Sequence, residues 1–351
     1  MREASALSSS ADSATTPIEL VVVGCGAVVQ RRHLPALQAL AATFTVVACV
    51  DPDLARARAV AERLPGASAT TSLSEGLARG ARAALIAAPN HLHVPLATEC
   101  VRRGVSVLVE KPLARTAQEA RDLLAEAQAR GCTVAVGHMW RFHPICLWIR
   151  EQIAAGALGA IRQVAWREGR EFAWPVTTPG LLHREQAGGG ILMDQGIHIL
   201  DLLRWWLGPL RVTAFRDDAW GGVEANCWWR GRAEDGAEVE LELSCTRALP
   251  NVCRFEGSRA CMELEVDEPK RVRWEGPTAM GVRVEPEQGA ATFRALYRSQ
   301  LAAFVRALRG GGVEGCAPAD ALATLDLVAE SYRIRSPHLF KWQAFRGLVA
   351  A

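Results

Sequence analysis

The chain has 351 residues and a formal net charge of +2, with 50% hydrophobic and 22% charged residues. This balance is typical of globular proteins and excludes global disorder. With so little net charge and no basic cluster, the sequence argues against binding to nucleic acid or to an anionic membrane. No run of about 18 apolar residues predicts a membrane span. At roughly 100–200 residues per domain, the length indicates two domains.

The first 17 residues and the cysteines indicate the compartment. Residues 1–17 are rich in Ser, Ala and Thr and predict a disordered tail, without the apolar segment or twin arginine of a secretory signal. The ten cysteines form no CxxC pair and no Cys/His cluster of zinc spacing. We therefore expect buried thiols in a reducing compartment, no metal site, and a cytoplasmic location.

Residues 18–140 alternate between short apolar runs and helical patterns. The runs IELVVV, FTVVACV, AALIAA and VSVLV are rich in β-branched residues, and helical periodicity fills the segments between them. Short apolar strands alternating with helices predict a parallel sheet covered on both faces. We therefore predict an α/β, doubly wound Rossmann domain over residues 18–140.

Residues 141–351 have a different pattern. Helices are predicted in LWIREQIAAGALG and over 190–206, 292–309 and 318–334. Between Leu210 and Trp274, several strand-like segments follow one another without intervening helices, which predicts a largely antiparallel sheet. We predict an α+β domain with a large, mostly antiparallel open sheet over residues 141–351, and the family resemblance given below implies that this domain binds substrate and forms oligomers.

A glycine-rich turn follows the first predicted strand. Gly24 and Gly26 form a GxG turn at the start of a helix, which allows a pyrophosphate to approach the backbone. Asp51 ends the second strand, near the spacing expected for a carboxylate that binds the ribose. The alternative is a tight turn and an Asp-Pro turn without a ligand. Because a carboxylate repels a 2′-phosphate, we predict NAD rather than NADP, although Arg56 and Arg58 partly oppose that repulsion.

Lys111 stands in the tripeptide Glu110-Lys111-Pro112, at the carboxyl end of a predicted parallel strand, where such sheets bind ligands. Only three of the 40 basic residues are lysines. A lysine can be tuned by burial and neighbouring charges, whereas an arginine keeps its proton. A catalytic role is therefore indicated, and a surface charge at a strand end is the alternative.

A third segment, GGGILMDQGIHILDLL, covers residues 188–203. The three glycines suggest a flexible entry to a helix on which Asp194, His198 and Asp201 share one face. A carboxylate beside an imidazole is suited to acid–base catalysis. The alternatives are a helix-stabilising pair and a metal site, and the lack of an obvious third ligand disfavours the metal.

Several of these motifs together resemble the Gfo/Idh/MocA oxidoreductases, from Ile18 to about Tyr332. The resemblance rests on VVVGCGAVVQRRHLPAL, APNHLH, VEKPLA, RFHP and GGGILMDQGIHILDLL in this order. It implies a Rossmann domain followed by an α/β domain whose open sheet often forms oligomers. The sequence departs from the family pattern at Val29, which replaces a small residue, and at Trp140, where some polyol-oxidising members have arginine.

The resemblance also assigns site residues. It implies catalytic roles for Lys111, Asp194 and His198. Adding the residue patterns above, we predict that the cofactor is bound by Gly24, Gly26, Ala27, Val28, Asp51, Pro89, Asn90, His93, Glu110 and Lys111. The predicted substrate-binding residues are Trp140, Arg141, Trp174, His183, Asp194 and His198. His33 is interpreted as local packing, and Glu168 and Arg170 face either substrate or solvent.

These expectations lead to a function. We predict an NAD-dependent dehydrogenase or reductase for a secondary alcohol or ketone of a sugar, nucleotide sugar or cyclitol. His198 is the predicted general base, Lys111 stabilises the developing charge on the substrate oxygen, and Asp194 orients His198 or binds a neighbouring hydroxyl. The alternatives are a non-catalytic NAD-binding regulator and an NAD-dependent, redox-neutral glycoside hydrolase. The resemblance also implies a homodimer or homotetramer through the C-terminal sheet, because an exposed antiparallel sheet face needs cover.

Overall fold

The computed structural model describes residues 16–175, 179–219, 222–266, 271–276, 279–284, 289–315 and 317–337. The described chain forms two compact units. One contains the chain up to Phe142 together with Thr292–Leu322, and the other contains His143–Ala291 together with the chain from Ala323. Of the predicted tail, only Thr16 and Pro17 lie within the described residues.

The first unit is built on a parallel sheet of six strands among the described residues. These strands are β1 (Ile18–Val23), β2 (Phe44–Val50), β3 (Ser68–Thr70), β4 (Ala83–Ile86), β5 (Ser106–Val109) and β6 (Val134–Val136). Their order in the sheet is β3-β2-β1-β4-β5-β6, and all pairs are parallel. This is the doubly wound order of a Rossmann fold, so the predicted fold of this region is confirmed.

Helices alternate with these strands. They are α1 (Leu34–Ala39), α2 (Leu54–Ala61), α3 (Leu73–Leu77), α4 (Asn90–Arg102) and α5 (Ala117–Ala129). Local sequence explains where several of them begin. The Thr116 side chain accepts a hydrogen bond from the Glu119 amide at the start of α5, and Asp53 caps α2 in the same way. Such caps satisfy amide groups that the first helical turn leaves without a partner.

A later helix returns to the first unit. This helix, α9 (Phe293–Leu308), buries Leu296, Tyr297, Leu301 and Phe304 in the same hydrophobic core as β1 and β2. The predicted division at 140/141 assigned this helix to the second domain, and the structure differs because its apolar face is buried in the first unit. A local pattern reveals that a helix has an apolar face, but not which core receives it.

The second unit is built on a mixed sheet of nine strands among the described residues. They are β7 (Ile161–Gly169), β8 (Leu210–Asp217), β9 (Asn226–Ala233), β10 (Glu238–Ser244), β11 (Val252–Gly257), β12 (Cys261–Glu265), β13 (Val272–Gly276), β14 (Ala279–Val284) and β15 (Ser336–Pro337). Their order is β14-β13-β12-β11-β7-β10-β9-β8-β15. Only the β7–β10 and β8–β15 pairs are parallel, which confirms the predicted, mostly antiparallel sheet.

The helices of this unit are α6 (Pro144–Ala154), α7 (Arg184–Ala187), α8 (Ile197–Leu207) and α10 (Pro318–Arg333), whose first residues belong to the other unit. Trp206 of α8 stacks on Trp166 of β7, with ring centroids 6.4 Å apart, and meets Phe255 of β11 at 5.7 Å. The apolar side of α8 therefore packs on one face of the sheet.

The opposite face of this sheet carries charges. Arg230 lies across from Glu240 at 3.0 Å, and the neighbouring pair Arg232–Glu238 at 2.7 Å. Further along the sheet, Arg254 and Glu263 repeat the arrangement on β11 and β12. The expected reason for oligomerisation was an exposed sheet face that needs cover, and the structure shows Arg–Glu pairs on this face.

Two remaining sequence expectations concern membranes and cysteines. In the described part of the chain, no helix is both long and apolar enough to span a membrane. The nine described cysteines are free thiols. Burial raises the pKa of Cys146 above its ordinary value, as expected for a thiol in an apolar core.

Candidate active site

The glycine turn leaves β1 with a sharp change of direction. Gly24 has φ +86°, and a Cβ there would overlap the Ala87 carbonyl. A larger residue is therefore excluded by both conformation and space. Val29, which departs from the family pattern, is fully buried and begins a π-helical turn, Val29–His33, ahead of α1. The core thus accommodates its larger side chain.

Asp51 follows β2 and is fixed by the backbone around it. Its Oδ2 accepts a hydrogen bond from the Cys25 amide at 2.8 Å, and its Oδ1 accepts one from the Asp53 amide at 2.9 Å. The carboxylate is also paired with Arg56 Nε at 3.2 Å. Asp51 therefore ties the glycine turn to the end of β2 and holds a negative charge at their junction.

These features fit a bound dinucleotide. Gly26, Ala27 and Val28 are half-buried at the start of the helical segment, and the Asp51 carboxylate lies beside the turn. A pyrophosphate is stabilised by the amides at a helix N-terminus, and a carboxylate at this strand end suits the hydroxyls of the ribose. The glycine turn and Asp51 are the residues that would hold the cofactor.

His93 connects two more strand ends. In α4 it is 1% exposed, with Nδ1 2.7 Å from the Pro112 carbonyl and Nε2 2.7 Å from the Ala88 carbonyl. Burial lowers the pKa of His93, while the two carbonyls oppose that effect. Its ring is thus used to join the segment after β4 to the one after β5. Pro89 and Asn90 form the half-buried start of α4 beside it.

Glu110, the residue before Lys111, lies in a buried cluster. Glu110 Oε1 is 2.7 Å from His33 Nε2, and both residues are buried. The ring of Tyr297, from α9, meets the His33 ring edge-on at 4.6 Å. Burial raises the pKa of Glu110, but the His33 hydrogen bond and the charges of His33 and Lys111 outweigh it and lower the pKa overall. His33, interpreted from sequence as local packing, instead anchors this carboxylate.

Lys111 itself is half-buried and precedes Pro112 through a cis peptide bond. It shares the carboxyl edge of the parallel sheet with the glycine turn and Asp51, because β1, β2 and β5 all end there. The sheet therefore brings the predicted catalytic lysine to the same edge as the predicted nucleotide-binding residues.

The segment after β6 places two predicted substrate residues. Arg141 is 4% exposed, and its Nη1 pairs with Asp320 Oδ2 at 2.7 Å. Trp140 is half-buried, with its ring 5.8 Å from that of Phe293. Both residues thus have packing or pairing roles within the first unit, and their contact with substrate stays a prediction.

Asp194 and His198 belong to the second unit. Asp194 lies in a π-helical turn, Leu192–Gly196, that runs directly into α8, and His198 is in the first turn of α8. Both side chains are half-buried, whereas Asp201 is 1% exposed. The π-helical turn was not foreseen, because only a continuous helix over 190–206 was predicted. Such turns are frequent at functional sites.

The three glycines before this turn have separate steric roles. Gly188 ends α7 with φ +85°. A Cβ on Gly189 would overlap the Tyr332 hydroxyl, and one on Gly190 would overlap the Glu224 carbonyl. The sequence suggested flexibility, but the structure shows close approach of neighbouring chain segments at the second and third glycines.

Glu224 was missed by sequence reasoning. It is 1% exposed, and its Oε1 accepts hydrogen bonds from the Tyr332 hydroxyl at 2.6 Å and the Leu192 amide at 3.1 Å. Burial raises the pKa of Glu224, although these hydrogen bonds oppose the rise. No local motif marks Glu224, because its partners lie 32 and 108 residues away.

The remaining predicted substrate residues lie in loops of the second unit. Trp174 is 39% exposed, and His183 is exposed just before α7. Glu168 is buried, accepts a hydrogen bond from the Trp166 indole at 3.1 Å and pairs with Arg170 at 3.1 Å. No group of three or more His, Cys, Asp or Glu side chains in the described ranges is arranged to hold a metal ion.

Comparisons with known proteins agree with this arrangement. Residues 18–138 match the family model "Oxidoreductase family, NAD-binding Rossmann fold", and residues 146–263 match the GFO/IDH/MocA C-terminal domain. The chain is 29% identical to the rhizopine catabolism protein MocA of Rhizobium meliloti, over 73% of this chain and 77% of that protein. It is 29% identical to inositol 2-dehydrogenase 1 of Saccharopolyspora erythraea, over 86% and 88%.

A further relative is dTDP-3,4-didehydro-2,6-dideoxy-alpha-D-glucose 3-reductase of Streptomyces violaceoruber, 28% identical over 84% of this chain and 86% of that protein.

Among solved structures, the 3-ketoreductase KijD10 of Actinomadura kijaniata, in complex with NADP, has a TM-score of 0.80 at 23% identity, covering 93% of this chain and 100% of that chain. The WlbA dehydrogenase of Bordetella pertussis, in complex with NADH, has a TM-score of 0.77 at 21% identity, covering 91% and 95%. At these identities the structures show the shared fold. With both domain models matched, the chain belongs to the Gfo/Idh/MocA family of NAD(P)-dependent oxidoreductases.

Proposed function

We propose that the protein transfers a hydride between NAD and a secondary alcohol or ketone of a sugar, nucleotide sugar or cyclitol. The observation that carries this proposal is the position of Lys111, on the same sheet edge as the glycine turn and Asp51. The relatives named as an inositol dehydrogenase and a deoxysugar reductase support the substrate class.

The proposed chemistry assigns roles to Lys111, His198 and Asp194. The nicotinamide, when bound, accepts or supplies the hydride. In the oxidative direction, His198 removes the proton of the substrate hydroxyl as a general base. Lys111 donates a hydrogen bond to the same oxygen and stabilises its developing negative charge. Asp194 orients His198 or binds a neighbouring hydroxyl. In the reductive direction, His198 returns the proton.

NAD is proposed as the preferred cofactor because of Asp51. Its carboxylate is held in place by two backbone amides and would meet the 2′-phosphate of NADP with a like charge. Arg56, the nearby cation, is already paired with Asp51 and Asp53. Both cofactors occur among the similar solved structures, so the preference comes from this chain's own residues.

We also propose a cytoplasmic homodimer or homotetramer formed through the sheet of the second unit. The support for this assembly is the charged sheet face with its cross-strand Arg–Glu pairs, which a second copy could complement.

The experiment is a turnover screen. Purified protein is mixed with NAD or NADP and a panel of inositols, aldoses and nucleotide sugars, and NADH or NADPH formation is followed by absorbance. The matching ketones with NADH test the reverse direction. We expect turnover on one chemical class, faster with NAD. Cofactor binding without turnover in either direction would favour the non-catalytic regulator, and release of free sugar without net NADH would favour the glycoside hydrolase.

A further inference from the structure

We propose that Glu224 and Tyr332 are positioning residues that hold the glycine-rich segment, residues 188–196, and thereby set the positions of Asp194 and His198. The inference rests on the proposed function for those two residues. Glu224, Tyr332 and the segment all belong to the second unit, so the contacts lie within one compact body.

The backbone of Glu224 makes the first contact. Its carbonyl accepts a hydrogen bond from the Ile191 amide at 2.9 Å. The approach is so close that a Cβ on Gly190 would overlap the Glu224 backbone. Position 190 therefore requires glycine because the Glu224 backbone lies against it, and not because the chain must be flexible before the helix.

The side chain of Glu224 replaces a missing helix cap. The π-helical turn begins after Ile191, which has no side chain able to cap it, and no side-chain cap is present at the start of α8. The Leu192 amide is one of the donors that a helix start leaves unsatisfied, and it donates to Glu224 Oε1 at 3.1 Å. A carboxyl group from a distant part of the chain thus serves as the cap.

Tyr332 fixes that carboxyl group from the other side. Its hydroxyl donates to the same Glu224 oxygen at 2.6 Å and lies against Gly189, where a Cβ would overlap it. The guanidinium of Arg184 lies over the Tyr332 ring, 4.7 Å from its centroid. Tyr332 therefore lies against Gly189, and Glu224 lies against Gly190. We call these two residues, joined by their hydrogen bond, the clamp.

The clamp leads directly to the catalytic groups. Asp194 follows Leu192 by two residues, and its amide donates to the Gly190 carbonyl at 2.9 Å. A shift of Gly190 or Leu192 would therefore move Asp194 and the start of α8 that carries His198. Small displacements of catalytic groups lower the rate strongly, because catalysis depends on precise alignment with the reacting atoms.

The test compares Glu224→Ala, Glu224→Gln and Tyr332→Phe with the matched control Ser331→Ala. Ser331 is the neighbouring residue on α10 and is fully buried; it accepts a hydrogen bond from the Trp229 indole at 2.8 Å and donates one to the Leu327 carbonyl at 2.7 Å. The control therefore removes an equally buried hydrogen bond from the same helix.

The first readout needs no substrate. Backbone amide exchange over residues 188–198 should accelerate about fivefold to tenfold in Glu224→Ala and Tyr332→Phe, the scale of one lost hydrogen bond to a carboxyl group. Glu224→Gln keeps an accepting oxygen and should restore most of the protection. Exchange over these residues in Ser331→Ala should match wild type. Equal exchange in Glu224→Ala, Tyr332→Phe and the control would overturn the inference.

The second readout is kinetic. Glu224→Ala and Tyr332→Phe should lower kcat at least about tenfold, and KM for NAD should stay within about twofold, since the clamp does not belong to the nucleotide-binding unit. If Glu224→Ala does not fold, the test rests on the near-isosteric variants Glu224→Gln and Tyr332→Phe. Wild-type turnover with unchanged kcat in Tyr332→Phe would overturn the clamp. If amide exchange accelerates in Glu224→Ala and Tyr332→Phe but the wild-type protein shows no turnover, the clamp is supported and the proposed function is contradicted.

Discussion

Asp51 has a fixed position in the fold and is the residue on which the proposed cofactor preference depends. Its two oxygens accept hydrogen bonds from the Cys25 and Asp53 amides, which fixes the carboxylate beside the glycine turn. Arg56 is held against it by charge. The local geometry therefore fixes one carboxylate beside the glycine turn and pairs Arg56 with it, and the proposed NAD preference rests on this arrangement.

Asp51→Ser should change the cofactor preference. We expect NADH binding to weaken about tenfold to a hundredfold, because hydrogen bonds to a charged group are lost, and NADPH binding to strengthen as repulsion disappears and Arg56 is released. Fluorescence titration measures both. Asp53→Ser is the control, because serine keeps the cap of α2 while removing a neighbouring charge. An unchanged ratio of the two affinities in Asp51→Ser would contradict the assignment.

The two buried glutamates should respond to pH in opposite directions. The pKa of Glu110 is lowered, so its stabilising effect is present above the unfolded value of about 4.3 and is lost as pH falls through the folded value. The pKa of Glu224 is raised, so its contribution is complete below that value and is lost as pH rises through the folded one.

Thermal midpoints of Glu110→Gln and Glu224→Gln, measured against wild type from pH 4 to pH 8, test this contrast. The loss of stability in Glu110→Gln should be larger at neutral pH than near pH 4. The loss in Glu224→Gln should become smaller as the pH rises, since the variant avoids burying a charge. Parallel pH dependence of the two variants would refute the opposite shifts.

Single residues with a local signature were predictable from sequence. The GxG turn, Asp51 and Lys111 each stand at a strand end, and the structure confirms those strand ends. His33 and Glu110 are 77 residues apart, and Glu224 and Tyr332 are 108 apart. Neither pair has a spacing that a sequence pattern could reveal, because only tertiary packing brings the partners together.

At the scale of elements, the structure contains two π-helical turns among the described residues, and each contains a side chain with an anchoring or a proposed catalytic role. Val29–His33 ends at the histidine that binds Glu110, and Leu192–Gly196 contains Asp194. Helical periodicity predicted a helix at both places. The wider turn could not be foreseen, because it depends on the contacts made by the surrounding segments.

Gly190→Ala should destabilise the second unit. Its Cβ would overlap the Glu224 backbone, and forcing such overlap costs about 1–3 kcal/mol. We expect the thermal midpoint to fall by roughly 2–4 °C per kcal/mol. Gly222→Ala is the matched control, because nothing lies within 4 Å of its added Cβ. Equal midpoints for the two variants would show that Gly190 is not constrained by this contact.

At the scale of the whole molecule, the types of the two sheets followed from the sequence more readily than the division of the chain into units. Alternating strands and helices predicted the parallel sheet, and consecutive strands predicted the mostly antiparallel one. The helix α9 could not be assigned correctly, because its apolar face has no feature that distinguishes one core from the other. Its Tyr297 reaches His33 in the first unit.

The charged sheet face gives a test of assembly. If the protein forms an oligomer through this face, reversing Arg230 and Arg232 to Glu should place like charges beside Glu238 and Glu240 and lower the mass measured by light scattering. Arg130→Glu reverses a charge of the same kind directly after α5, where Arg130 pairs with Glu126, and should leave the mass unchanged. A monomeric wild type would contradict the proposed assembly.

The most direct test of the proposed mechanism is the rate of NADH formation by wild type, Lys111→Ala, His198→Ala and the double variant, on the substrate class found by the turnover screen. Each single variant should lower kcat at least about a hundredfold, with NADH affinity retained. The double variant should lose little more than the slower single variant, because residues that act on one oxygen in one step are not additive. Near-wild-type turnover in either single variant, or fully multiplicative losses in the double, would contradict a shared catalytic step.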